Sequence, residues 1–415
     1  MTIGVSISAV KGAGKGIGGS DAATELAKLE NQCTDITLID TAEFKMRIDK
    51  AQQLMRENNI VAIYLNAGTN LFYFTGMRWN SSERMVGAIL PAQGKLVFIA
   101  PHFEKGTLLQ FMNVGGEIAT WQEHESPYSL FCQTLTSMSI TQGDIGIDES
   151  TPFFISNGIG SIASNFKLVS AKLITAGCRA TKSSAELALM QKAKDITLIV
   201  QKAAARILYE GITTKEVSDF IHAAHCKLGA VKGSYFCIVL FGKDSSFPHG
   251  VKASNPLKNN DMVLIDTGCT VGDYISDITR SYVFGKPSEL QRKSWEIEKQ
   301  AQQAAFDAAV IGEPCANIDI AARQYLASQG MGPDYQTPGC PHRTGHGIGL
   351  DIHEWPYLNR AETTILAAGM CFSNEPMLVI PDEFGVRLED HFYMTEQGPV
   401  WFTTPSLSID NPFNY

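Results

Sequence analysis

The sequence predicts a two-domain α+β protein, and two observations carry that prediction. Up to about residue 170, helix-like and strand-like segments alternate with short joins, the pattern of a small α/β domain. From residue 183 onward, capped amphipathic helices are followed by strand candidates without regular alternation, the pattern of helices beside an antiparallel sheet. At 415 residues the chain is too long for one core and fits two or three domains.

The elements follow in order. Residues 1–35 are Gly- and Ser-rich, then briefly helical, and read as an N-terminal extension. The first domain is expected over 36–175. In it, Phe44, Met46, Ile48, Ala51, Leu54 and Met55 recur at helical spacing over 42–58. Strands are predicted at 61–65, 71–74, 86–90 and 96–100. A boundary at 177–182 introduces the second domain, 176–415. There Ser183-x-x-Glu186 is a capping box, in which side chains satisfy the first free N–H groups of a helix. Leu187, Met190, Ala193, Val200, Ala204 and Leu208 continue that helix, which Gly211 is expected to end. A second box, Thr213-x-x-Glu216, starts a helix that buries Val217, Phe220, Ile221, Ala224 and Leu228. Strands around 235–241, 262–265 and 281–284, helices at 288–311 and 316–329, and strands at 371–380 and 386–394 complete the chain.

Composition narrows the function classes. Thirty-four basic against forty-three acidic residues give a formal charge of −9, which weighs against nucleic acid and anionic membranes as partners. No apolar run is long enough to span a bilayer. The nine cysteines are scattered without a C-x-x-C pair, arguing against a disulfide scaffold or a cysteine zinc site. With no basic stretch opening the N-terminus, a cytoplasmic location is expected. Gly14-x-Gly16-x-x-Gly19 matches a dinucleotide fingerprint, but the strand before it is short and polar and no ribose-binding acid follows. His222 and His225 are spaced for a metal on a helix yet lack a glutamate context, so a structural role is expected. The same holds for the lone His102, His124 and His391.

Five segments of the second domain concentrate carboxylates and histidine. Val263-Leu264-Ile265-Asp266 is an apolar strand that ends on an aspartate. Asp277 follows in Asp277-Ile278-Thr279-Arg280, and His346 lies between glycines in Gly345-His346-Gly347-Ile348-Gly349. Glu375 sits in Asn374-Glu375-Pro376, and Glu389 in Gly385-Val386-Arg387-Leu388-Glu389-Asp390. Four clustered carboxylates repel and cannot all ionise unaided. Two divalent cations with bridging carboxylates remove that cost and use about this inventory. Oxygen donors with one nitrogen and no thiolate suit Mn²⁺, with Fe²⁺, Co²⁺ or Zn²⁺ as alternatives.

These segments resemble the pita-bread metallopeptidases: methionine aminopeptidase, aminopeptidase P and prolidase. The resemblance implies Asp266, Asp277, His346, Glu375 and Glu389 as metal ligands. It covers about 179–400, with Arg179, Lys182 and Glu186 similar to the start of the family's catalytic domain. His249, in Phe247-Pro248-His249-Gly250, and His353, seven residues after His346, resemble the substrate-contacting pair. Tyr235 is placed on an active-site strand. Arg387, two residues before Glu389, shares its strand face and is expected to brace the ligands or bind substrate.

The preceding α/β domain resembles the creatinase/prolidase N-terminal domain, which sets methionine aminopeptidase aside. Residues 66–84 carry that likeness and are closest to compact bacterial Xaa-Pro dipeptidases. Arg84, with Arg78 second, is the basic residue expected to reach a homodimer partner's site and bind a dipeptide carboxylate; Trp79 is a candidate cleft wall. The implied activity is hydrolysis of the Xaa-Pro dipeptide bond by a hydroxide bridging two metals, with Glu375 moving protons. The alternatives are aminopeptidase P acting on longer Xaa-Pro peptides, organophosphate hydrolysis, and a lyase or binding module on the same fold.

Overall fold

The computed structural model describes residues 14–414, so residues 1–13 of the expected extension lie outside the described residues. Two compact units are present: Ile39–Ala180, and 14–38 together with 181–414.

Residues 14–38 pack as part of the larger unit. Helix α1 (Ala22–Ala27) is capped by Asp21, whose carboxylate accepts from Thr24 N. Main-chain bonds run from Gly18 N to Ala205 O (2.8 Å), from Gln32 N to Leu228 O (2.9 Å) and from Lys15 N to Asp410 O (3.0 Å).

The smaller unit contains α2 (Thr41–Glu57), β1 (Ile60–Asn66), α3 (Thr69–Thr75), β2 (Gly87–Pro91), β3 (Val97–Pro101), α4 (Lys105–Phe111), β4 (Glu117–Trp121), α5 (Pro127–Ser137), β5 (Gly143–Ile147), α6 (Phe153–Ile162), β6 (Phe166–Ser170) and α7 (Lys172–Ala180). Its sheet runs β4-β3-β2-β1-β5-β6. The β1–β2–β3 meander is antiparallel, while β4, β5 and β6 join in parallel. Alternation along β1 turns Ala62 and Tyr64 toward Phe131 and Leu135 of α5 and Ile155 and Ile159 of α6, one continuous apolar core.

The predicted strand at 71–74 is instead the middle of α3. Its apolar run does not alternate, and a run this short does not distinguish strand from helix. The local signal is Gly76, which ends the helix at φ 69° and packs against Phe44, so that a Cβ there would come within 2.5 Å of the ring. The boundary segment at 177–182 is likewise helical through Ala180, as the end of α7.

The larger unit continues with α8 (Ser184–Arg206), α9 (Thr214–Lys227), β7 (Ser234–Phe241), β8 (Met262–Val271), β9 (Tyr274–Ile275), β10 (Ile278–Val283), α10 (Glu289–Asp307), α11 (Ala316–Ser328), β11 (Gly345–Gly347), β12 (Glu354–Leu358), β13 (Cys371–Asn374), β14 (Met377–Ile380), β15 (Phe384–Arg387), β16 (Asp390–Thr395) and β17 (Gly398–Trp401). Both predicted capping boxes form, at Ser183/Glu186 and Thr213/Glu216. Helix α8 stops at Arg206, short of Gly211. One sheet has the order β10-β8-β7, with β9 on β8; a second runs β12-β11-β13-β16-β17; β14 and β15 form a separate hairpin. All of these pairings are antiparallel.

Candidate metal centre

The ligand candidates meet where these antiparallel ladders end. Asp266 on β8 lies opposite Thr279 of β10, and Asp277 is the residue just before β10. His346 is the central residue of β11, Glu375 follows the last residue of β13, and Glu389 lies in the link from β15 to β16. The glycines around His346 serve strand packing. A Cβ on Gly345 would sit 2.1 Å from the carbonyl oxygen of Ser373 on β13, so only glycine lets these strands close up here.

Ligand atoms of Asp277, His346 and Glu389 lie within 4.8 Å of one another, and all three residues are buried. His346 Nδ1 donates to Gly347 O at 3.0 Å, which leaves Nε2 to face 3.0 Å from Glu375 Oε1 and 3.9 Å from Asp277 Oδ2. An outer hydrogen bond that fixes the tautomer in this way is typical of a metal-binding imidazole. Glu375 Oε1 also accepts from Ser373 Oγ at 3.2 Å. Glu389 Oε2 accepts from Thr279 Oγ1 at 2.8 Å. Asp266 pairs through Oδ2 with Arg387 Nη2.

Electrostatics sets these acids in conflict. Burial, then the charges of Glu389, Asp266 and Glu375, pushes Asp277 well above the usual carboxylate range. Burial, then Glu375 and Asp266, does the same to Glu389. At Glu375 burial also works upward, but the hydrogen bond from His346, its charge and that of Arg387 overcome it and hold the acid low. Arg387 is buried, and despite the cost of burial the surrounding acids keep it firmly protonated. Its Nε also donates to Thr279 Oγ1 (3.0 Å) and its Nη1 to Pro248 O (3.3 Å).

Divalent cations fit this donor set on a direct observation. Asp266 Oδ1, Asp277 Oδ1 and Glu389 Oε1 are buried with no hydrogen-bond partner among the described residues. Orphaned carboxylate oxygens are costly in a protein interior. Three of them, on Asp277 and Glu389 beside the His346 imidazole and on Asp266, whose charge acts on both of those acids, are accounted for by cations, which use carboxylate oxygens directly.

The other predicted residues are placed unequally. The His353 ring stands edge-on to His346 with centroids 4.3 Å apart. Crowding that withdraws water, then the charges of His346 and Arg343, pushes His353 down to about 4. His249 is exposed on a turn after β7, near enough for its charge to act on His353 and His342. Tyr235 on β7 is 52% exposed; partial burial, then Asp351, raises its hydroxyl. Arg84 belongs to the smaller unit, where it makes two 3.1 Å bonds to Glu123 and pairs with Glu83. Arg78 lies over the Phe72 ring, and Trp79 packs edge-on to Phe111. His225 is buried between Ser234 Oγ (2.9 Å) and Thr197 Oγ1 (3.3 Å), and His222 Nδ1 accepts from Ser234 N, so both serve packing.

Sequence reasoning missed several residues of the site. His342 is half-buried beside it, feels the charges of Glu375 and Arg387, and leaves Nε2 without a partner among the described residues. Its spacing of four from His346 was the available signal. Glu354 was also passed over. It accepts from Leu350 N (2.9 Å) and Asp351 N (3.1 Å) and pairs with the buried Lys182 Nζ (2.9 Å), which pins the loop carrying His353.

Comparison with known proteins agrees with this geometry. The family model for Metallopeptidase family M24 matches residues 188–396, and that for the Creatinase/Prolidase N-terminal domain matches 47–181. The chain is 30% identical over 360 residues to "Putative dipeptidase YkvY" of Bacillus subtilis, covering 86% of this chain and 97% of that protein. The dipeptidase PepE of Mycobacterium ulcerans superposes with a TM-score of 0.83 at 29% identity, covering 90% of this chain and 98% of the other. A recombinant prolidase from Thermococcus sibiricus superposes with a TM-score of 0.78 at 29% identity, covering 87% and 97%. Two unlike domains matched in order, with a carboxylate-rich centre in the second, settle the kinship: this chain belongs to Metallopeptidase family M24 and carries a creatinase/prolidase N-terminal domain ahead of the peptidase domain.

Proposed function

We propose that the chain hydrolyses the Xaa-Pro bond of dipeptides, using two divalent cations, Mn²⁺ foremost, held by Asp266, Asp277, His346, Glu375 and Glu389. The observation that carries this reading is the set of orphaned buried oxygens on Asp266, Asp277 and Glu389, the last two beside the oriented His346 imidazole. The solved relatives described as prolidase and dipeptidase support the substrate class.

When bound, the cations supply Lewis-acid charge and lower the pKa of a water toward neutrality. The chain's own residues do the rest. Glu375, 3.0 Å from His346 Nε2, is set to accept the proton of the attacking water and return it to the proline nitrogen. His353, neutral at working pH, is available as a hydrogen-bond donor to the developing oxyanion, with His249 beside it. Arg387 anchors Asp266 and offsets part of the acid charge. Tyr235 contributes to substrate binding from β7, and Arg84 is the candidate for the substrate carboxylate, supplied to a partner chain in a homodimer. Proline offers no N–H and has a fixed φ, so a rigid pocket can select it where an extended-strand site would lose a donor.

A peptide panel tests the reading. Metal-stripped protein resupplied with Mn²⁺ should cleave Ala-Pro and Leu-Pro but neither Ala-Ala nor Gly-Pro-Ala. Cleavage of Gly-Pro-Ala in preference to the dipeptides would move the assignment to aminopeptidase P. No turnover on any member would overturn it.

A further inference from the structure

Glu375 and Glu389 sit at a break between two sheets. The β13–β16 ladder ends at the pair Asn374–Asp390, and the β14–β15 ladder begins at Met377–Arg387. Between those pairs, residues 375–376 and 388–389 have left one sheet and not joined the other. Their flanking peptide groups lose ladder partners and, being buried, must find others.

Helix α10 supplies them. Gln302 is fully buried, and its Nε2 lies 2.9 Å from Leu388 O, 3.3 Å from Asn374 O and 3.2 Å from Asp390 Oδ2. Leu388 immediately precedes Glu389, and Asn374 immediately precedes Glu375. One amide therefore donates to the peptide carbonyls leading into both acids. Its orientation is fixed from the other end, where Lys299 Nζ donates to Gln302 Oε1 at 3.2 Å. Asn374 Nδ2 returns a bond to Gln302 O at 2.9 Å. One turn earlier on the helix, Glu298 Oε1 accepts from Leu388 N at 3.1 Å. Glu298 and Gln302, at spacing i, i+4, thus satisfy both sides of the Leu388 peptide and tie it to the Asn374 peptide.

We propose that Gln302 is a positioning residue for the metal centre: it sets the separation of Glu375 and Glu389 across the sheet break, with Glu298 fixing the Glu389 side. A neutral amide can do this without adding charge to the acid cluster, whereas a basic side chain would pair with the acids. The inference rests on the proposed role of both acids as metal ligands.

Calorimetric titration of metal-stripped protein with MnCl₂ tests it, on wild type, Gln302→Met and Gln303→Met. Gln303 lies on the exposed side of the same helix, bonded to Asp307 Oδ1 at 2.8 Å, and serves as the control. Loss of outer-shell partners typically weakens metal binding about 10- to 100-fold. Gln302→Met should therefore lose about 10-fold or more in affinity for at least one ion, while Gln303→Met titrates as wild type. The Mn²⁺ electron paramagnetic resonance spectrum of the loaded variant should show altered coupling between the ions, a change that plain destabilisation would not produce. Wild-type affinity for both ions in folded Gln302→Met overturns the inference and leaves the metal reading standing. Failure of wild type to bind Mn²⁺ removes both. If Gln302→Met does not fold, Glu298→Met, which frees Leu388 N alone, must weaken binding; unchanged affinity, or failure of both variants to fold, refutes a role confined to site geometry.

Discussion

Replacing Glu354 with alanine strands a buried cation. Lys182 and Glu354 have side chains only 2% and 3% exposed, and their 2.9 Å pair ties the start of α8 to the loop that carries His353. Removing one partner of such a pair costs about 3–5 kcal/mol, because the other charge stays buried. Two further N–H groups, of Leu350 and Asp351, lose their acceptor. Each orphaned donor costs about 1–3 kcal/mol when dry, but both residues are half-buried, so the lower end applies. The sum is about 5–7 kcal/mol, a large part of the roughly 5–15 kcal/mol that holds a domain folded. Glu354→Gln keeps a carbonyl oxygen for the two N–H groups and should lose about 3 kcal/mol, chiefly the charge. Urea unfolding followed by circular dichroism reads these values as midpoint shifts at constant slope. The double variant Lys182→Met/Glu354→Met closes a cycle and should fall about 2 kcal/mol or more short of additivity, since neither charge is left alone. Because Glu354 directly follows His353, turnover should fall in Glu354→Gln even where the fold holds. A loss below about 1 kcal/mol in Glu354→Ala, or strict additivity in the cycle, would refute the reasoning.

Other expectations follow from the same geometry. Burial, then His222, pushes His225 down to about 3, so between its unfolded value near 6.5 and about 3 the unfolded chain binds more protons. Stability should therefore drop as pH is lowered through that window, and His225→Gln should flatten the slope by up to about 1.4 kcal/mol per pH unit, read as urea midpoints of metal-free protein; equal slopes would contradict this. Gly345→Ala forces β11 from β13 and should lower metal affinity and melting temperature together; a wild-type titration would show the 2.1 Å approach to be unnecessary. Mn²⁺ at about 100 times its dissociation constant should stabilise the stripped protein by about 2.7 kcal/mol per site, seen as a raised melting temperature that Asp277→Asn abolishes.

The proposed ligands stood out because each lies in a short local context: an aspartate closing an apolar run, a Gly-flanked histidine, an acid before proline; the strand expected to end on Asp266 instead runs on to Val271 as β8. Their convergence follows from the ladders that end around them. Arg387 and Glu389 do not share a strand face as their spacing of two predicts, because β15 ends at Arg387 and Glu389 lies in the link beyond it; only the fold shows Arg387 buried against Asp266. What the sequence hid was the buried polar scaffold. Lys194, Glu298 and Gln302 are fully buried, yet each falls at a helical position where polarity reads as a solvent face. Their partners are main-chain groups and side chains of other elements, which no periodicity announces: Lys194 reaches Ile275 O at 3.4 Å. In the smaller unit, 71–74 was misread because an apolar run of that length suits helix and strand alike, and Gly76 was the one cue to its end.

The central claim is tested most directly by titrating metal-stripped protein with Mn²⁺ while following Ala-Pro hydrolysis and bound metal in the same samples. The account predicts no turnover without metal, a rise to a plateau at two equivalents per chain, and neither turnover nor full loading in folded Asp277→Asn. Full turnover by stripped protein, or by Asp277→Asn, would contradict it.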